Sequence, residues 1–165
     1  MTDKLIYEGE YLNGEKNGKG KEYDSDGTLL IEGEYLKGEK NGNIKEYDRN
    51  EELSFEGKYI KGKRNGEGKE YYNNELIFEG EYLNGERNGK GKEYYENGNI
   101  LFEGEYKNGK WNGKGKEYFQ NSKLKYDGEF LDGQWNGKGK EYFQNGKLKY
   151  NGEFLNGQKI KNKKK

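Results

Sequence analysis

Carboxylates recur in pairs along this chain, as Glu8 and Glu10 do. Two carboxylates can carry acid–base or glycoside chemistry only where a cleft raises the pKa of one of them. Here the acids alternate with apolar residues, which places them on a solvated stripe. The sequence contains no His and no Cys, so His- or Cys-based nucleophile dyads and zinc sites cannot be assembled. Ser25, Ser54 and Ser122 stand in no motif that would activate a hydroxyl. Asp24-Ser25-Asp26-Gly27 resembles the start of a calcium loop but lacks the bidentate Glu at its end. The Gly-x-Gly copies lack the helix N-terminus that phosphate binding requires. The expectation is a protein without catalytic residues, metal or cofactor.

The elements that carry these residues are set by a repeat. Leu-x-aromatic-x-Gly-x-aromatic, a Gly/Asn-rich turn and Gly-x-Gly-Lys-Glu-Tyr are written six times and begun a seventh. The first glycine of each copy is Gly9, Gly33, Gly57, Gly80, Gly104, Gly128 and Gly152. The spacing is 24 residues except between Gly57 and Gly80, where it is 23. A fixed period of this kind marks a repeat array, whose core forms only by stacking.

Within a copy, Leu5, Tyr7, Gly9 and Tyr11 alternate with Ile6, Glu8 and Glu10, which is the period of a strand. Asn13-Gly14-Glu15-Lys16-Asn17-Gly18 reads as the hairpin loop, and Lys19 to Tyr23 as the return strand. The charges propose a register with Gly20 opposite Tyr11 and Lys21 opposite Glu10. In that register Glu34–Lys45, Glu81–Lys92, Glu105–Lys116 and Glu129–Lys140 pair, and Lys58 faces Lys69. The predicted fold is all-β: an elongated single-layer twisted array of about 13 strands in antiparallel hairpins. Residues 1–157 form the array and residues 158–165 a basic tail.

Tyr7-Glu8-Gly9-Glu10-Tyr11, followed by Gly14, Gly18 and Gly20, resembles the MORN (membrane occupation and recognition nexus) repeat. The likeness runs from about residue 5 to residue 157. The second copy departs from it, with Ile44 in place of the last glycine. The resemblance implies a non-enzymatic interaction scaffold that holds a protein partner or dimerises. It also implies, as an alternative, an adaptor at anionic phospholipids. Lys92 to Gly98 looks like related repeats in bacterial antitoxin-like proteins, a third reading.

Composition agrees with an ordered array. Hydrophobic residues are only 28% of the chain, yet aromatics are 15%, and they recur in register. Rings give much burial from few residues. Thirty-one cations balance 31 anions, so neither self-repulsion nor a nucleic-acid signature is present. No apolar run approaches a membrane span. The expected location is the cytoplasm, with cytoskeletal or membrane association implied by the resemblance.

Tyr11, Tyr35, Tyr59, Tyr82, Tyr106 and Phe130 are the candidates for an aromatic binding face, with Tyr23, Tyr47, Tyr71, Tyr94, Tyr118 and Tyr142 nearby. Trp111 and Trp135 replace the cations Lys16, Lys40, Arg64 and Arg87 in what reads as the hairpin loop. They are candidate partner contacts, because Trp is enriched in interface hot spots. Lys159, Lys161, Lys163, Lys164 and Lys165 are the candidate lipid contacts. The last copy reads as lacking a return strand, which leaves Lys147 to Leu155 as an edge for a homodimer or for the tail.

Overall fold

The computed structural model describes residues 6–160. Among them are no helices. The chain divides into two compact units, Met1–Gly85 and Glu86–Lys165.

The first unit contains β1 (Ile6–Leu12), β2 (Glu15–Tyr23), β3 (Leu29–Leu36), β4 (Glu39–Tyr47), β5 (Leu53–Ile60), β6 (Lys63–Tyr72) and β7 (Glu75–Leu83). The second contains β8 (Glu86–Tyr94), β9 (Ile100–Lys107), β10 (Lys110–Tyr118), β11 (Leu124–Leu131), β12 (Gln134–Tyr142), β13 (Leu148–Leu155) and β14 (Gln158–Lys159). Inside each unit every strand pairs antiparallel with its neighbours in sequence. This is the predicted array of hairpins, with one more strand than expected.

The hairpin turn is tighter than the sequence reading made it. Leu12 pairs with Glu15, so the turn is Asn13-Gly14 alone. Both residues have positive φ, 52° and 82°, as a two-residue type I′ turn requires. The second Asn-Gly pair lies within β2. There Glu10 stands alone against Asn17, Gly18 and Lys19, between the pairs Gly9–Gly20 and Tyr11–Lys16. The Glu10 carboxylate fills this bulge and accepts the Lys19 N–H at 3.1 Å. A Cβ on Gly18 would lie 2.4 Å from Glu10 Oε2, so the bulge needs glycine for space as well as for its φ of 67°.

The bulge moves the register by two residues from the expected one. Lys21 faces Glu8 and not Glu10, and Lys45 faces Glu32 and not Glu34. Lys116 likewise faces Glu103, and Lys140 faces Asp127. Lys58 does not meet Lys69: Glu56 does.

The connections between hairpins are five-residue loops, as at Asp24–Thr28. The Asp24 carboxylate accepts the N–H groups of Asp26 and Thr28, both at 3.0 Å. The single deletion converts one loop into a second tight turn. Tyr72 pairs with Glu75, and Asn73 and Asn74 both take positive φ, 51° and 63°.

The last copy does have a return strand. Gln158 and Lys159 pair with Leu155 and Phe154, and the Ile160 N–H donates to Glu153 O at 2.8 Å. The edge left open in the sequence reading is covered along this stretch by the start of the tail itself.

Candidate binding surfaces

One face of each unit is a layer of rings laid on glycine. In the first unit Phe55 lies across Gly57 and Gly68, where a Cβ on either would be 2.7 Å from its Cζ. In the second, Phe102 lies across Gly104 and Gly115, and Tyr126 across Gly128 and Gly139. Each flat ring is met edge-on by two others. Phe55 touches Tyr59 and Tyr82, with centroids 5.8 and 5.4 Å away. Phe102 touches Tyr106 and Phe130 in the same way, at 5.4 and 5.1 Å.

This packing changes the standing of the predicted aromatic face. Tyr35, Tyr59, Tyr82 and Tyr106 are 4% exposed and Phe130 is 3% exposed. They are the core of the stack and present no open surface. Tyr11, in the first strand, is the exception at 58%. The Tyr23 set is not beside this layer. Tyr47, Tyr71 and Tyr118 donate their hydroxyls to Glu32, Glu56 and Glu103 at 2.8, 2.8 and 2.6 Å, on the opposite face. That face carries the true charge ladder. Glu8, Lys21, Glu32, Lys45, Glu56, Lys69 and Glu79 follow one another across the first unit.

Above the flat rings sits a second layer that the sequence reading placed in a loop. Lys16, Arg64, Trp111 and Trp135 are each the second residue of a strand. Arg64 rests on Phe55, its Cζ 3.8 Å from the ring centre. Trp111 stacks on Phe102 at 4.3 Å with 4° between planes. Trp135 stacks on Tyr126 at 4.4 Å and 5°. The two indoles are thus packed plates and not hairpin tips, and both are half-buried.

A row of carboxylates holds these lids. Glu46 accepts Tyr59 OH at 2.6 Å and Arg64 Nη2 at 2.8 Å, and pairs with Lys40. Burial works to raise its pKa, but the hydrogen bonds from Lys40, Tyr59 and Arg64 outweigh it and hold the pKa at about 2. Trp111 Nε1 donates to Glu93 at 3.0 Å, and Trp135 Nε1 to Glu117 at 2.8 Å. An indole brings no charge, and the chain supplies one from the next strand. Lys125 pairs with Glu117 and Lys149 with Glu141, each at 2.6 Å. The second and third copies have Leu30 and Ser54 at that place. Sequence reasoning missed Lys125 and Lys149, although their appearance one strand after each Trp was a readable signal.

Two exposed features stand out. Leu12, Leu36, Ile60 and Leu83 each end a strand before a tight turn and form an exposed row in the first unit. Lys37, Lys58, Lys61 and Lys63 cluster around the ends of hairpins β3–β4 and β5–β6, all exposed. Of the predicted lipid contacts, Lys159 is paired with Glu141 at 2.6 Å. Lys161, Lys163, Lys164 and Lys165 lie outside the described residues. Among the described residues no acidic cluster could hold a metal ion, and no helix is long and apolar enough to cross a membrane.

Comparison with solved structures returns the crystal structure of TarM, at 11% identity and a TM-score of 0.29, covering 89% of this chain and 21% of that one. It also returns the GtfA/B complex bound to UDP and GlcNAc, at 8% identity and a TM-score of 0.25, covering 90% and 24%. The chain therefore spans about a quarter or less of the length of these structures. Comparison with curated proteins gives no match. The MORN repeat family model matches residues 7–29, 55–76, 78–100, 102–123 and 126–147, more than half of the chain. It passes over the second copy, where Ile44 breaks the glycine pattern. Period, hairpin geometry and this match agree, and the chain belongs to the MORN repeat family.

Proposed function

We propose that this chain is a non-enzymatic interaction scaffold that holds a protein partner along the ends of its hairpins. The observation that carries this reading is the row Leu12, Leu36, Ile60 and Leu83. Single exposed aliphatics are ordinary, but one at the same place in four successive hairpins, with Glu15, Glu39 and Lys63 paired across from the first three, makes a patterned surface. Two strands separate successive members, so the row repeats every ~10 Å. This replaces the tyrosine row as the contact surface, because those rings are already covered by their neighbours. The repeat family favours a scaffold role, and the absence of His and Cys from the sequence argues against most enzymatic alternatives.

The test is affinity capture from cells with wild type and with Leu36→Asp/Ile60→Asp, which charges the row without touching the ring layer. Partners retained by wild type and lost by the variant, with unchanged melting, support the reading. Equal capture by both proteins overturns it. The second reading, an adaptor at anionic membranes, draws on Lys37, Lys58, Lys61 and Lys63. Lysines near an anionic leaflet contribute about 1 kcal/mol each. Flotation with phosphoinositide vesicles, compared between wild type and Lys58→Glu/Lys61→Glu/Lys63→Glu, separates the two. In either case the site of action is taken to be the cytoplasm.

A further inference from the structure

We infer that Trp111 and Trp135 form a two-plate platform for an uncharged glycan chain. Phe102 and Tyr126 lie flat on glycine backbone, and the indoles stack on them within 4° and 5°. Each indole is therefore parallel to the local sheet, with one face on the ring below; the Lys125 ammonium lies over the Trp135 ring, 5.7 Å from its centre. Their edges are fixed as well. Trp111 meets Phe130 at 5.7 Å and Trp135 meets Phe154 at 5.6 Å, both edge-on, and each Nε1 is tied to a carboxylate. A ligand meets a preset π-face and does not have to order it.

The spacing and charge select the ligand. The plates stand one hairpin apart, ~10 Å along the sheet. Two strands of ordinary twist rotate one plate from the other by roughly 40–50°. Extended β-linked sugar chains present a C–H face at alternate residues on a similar spacing. A twisted pair of plates fits one such chain better than a flat crystalline surface. The charges around the plates are paired within the unit: Arg87 with Glu93, Lys125 with Glu117, and Lys149 and Lys159 with Glu141. The platform thus offers donors and acceptors in balance, which complements neutral hydroxyls and not an ionic ligand. Proline-rich segments, by contrast, dock in aromatic-lined grooves, and these rings form flat plates.

The inference goes beyond the scaffold reading and does not rest on it. The chain has only two Trp beside 16 Tyr, so selectively excited Trp emission reports on the platform alone. Titrating wild type with cellohexaose is expected to give a saturable change in Trp emission, with glucose, which covers one plate, at least about tenfold weaker. In Trp111→Arg/Trp135→Arg, calorimetry should find no binding. That variant should fold, because Arg64 already stacks on Phe55 in the same position. An unchanged wild-type emission at millimolar cellohexaose overturns the inference. So does equal binding of glucose, a response to a proline-rich peptide but not to the sugar, or binding retained by the folded double variant.

Discussion

Ile44 stands opposite Gly33 across β3 and β4, where hairpins β1–β2, β5–β6, β9–β10 and β11–β12 pair glycine with glycine. The exchange is compensated two residues away. Copies one, three, five and six lay Tyr7, Phe55, Phe102 and Tyr126 over the glycine pair. The second copy has Ile31 there, which leaves space, and Ile44 fills it at 1% exposure.

The pair predicts a strong coupling. Ile44→Gly should destabilise the protein by about 2–5 kcal/mol, because Ile31 cannot reach over the vacated backbone. Ile31→Phe should cost about 1–3 kcal/mol by overpacking. The double variant rebuilds the arrangement of Phe55 over Gly68 and should recover up to about 3 kcal/mol of the summed loss. Urea unfolding of the four proteins measures the cycle, and simple additivity would refute the exchange.

Much of this was legible in the sequence. The alternation of Tyr7, Gly9 and Tyr11 marks a strand without ambiguity, and Asn13-Gly14 marks a hairpin. The register was not legible, because Asn17-Gly18 has the same local signature and yet belongs to a bulge. What decides between turn and bulge is the Glu10 carboxylate reaching across the strand, a contact that no local pattern records. The surface was misread for a related reason. Tyr59 reads as an outward aromatic, but it is covered by Phe55 and Arg64 of its own copy and by Lys40 and Glu46 of the copy before. Lys16 and its equivalents read as loop cations until the register makes them the lids.

Glu46 predicts acid sensitivity. Its folded pKa of about 2 lies below its ordinary value. The stabilisation it gives is therefore complete above the ordinary carboxylate range and is lost as pH falls through that range toward 2. Glu46→Gln should lower stability at neutral pH and flatten the decline in melting temperature between roughly pH 5 and pH 2. Thermal melts across that range check it, and a variant as acid-sensitive as wild type contradicts the assignment.

Lys125 should matter only while residue 111 is Trp. In the first two hairpins Lys16 and Lys40 pair with the carboxylate of their own hairpin, Glu22 and Glu46. With Trp111 in that place, Glu117 takes Lys125 instead. Lys125→Met should cost about 1–3 kcal/mol by leaving a buried carboxylate short of a partner. In a Trp111→Lys background the same change should be nearly neutral. Equal losses in both backgrounds, measured by denaturant titration, would show that Lys125 contributes packing and not charge.

The two-residue β14 closes the array for a reason beyond length. Lys159 ties Glu141, with Lys149, and burial of that carboxylate is outweighed by the two ammonium groups, so its pKa is lowered. Tyr150 OH donates to Ile160 O at 2.8 Å. Position 161 is Lys where the other copies place the bulge glycine. The bulge has no room for a side chain, since a Cβ on Gly137 would lie 2.3 Å from Glu129 Oε2. Deleting residues 158–165 bares the backbone of β13, an edge prone to pairing with other chains. The truncated protein should melt several degrees lower and show self-association in light scattering. Lys159→Ala keeps the β14 backbone, so it should share the lower melting point and stay as monodisperse as wild type. Self-association in Lys159→Ala would assign the protection to the ion pair and not to strand cover.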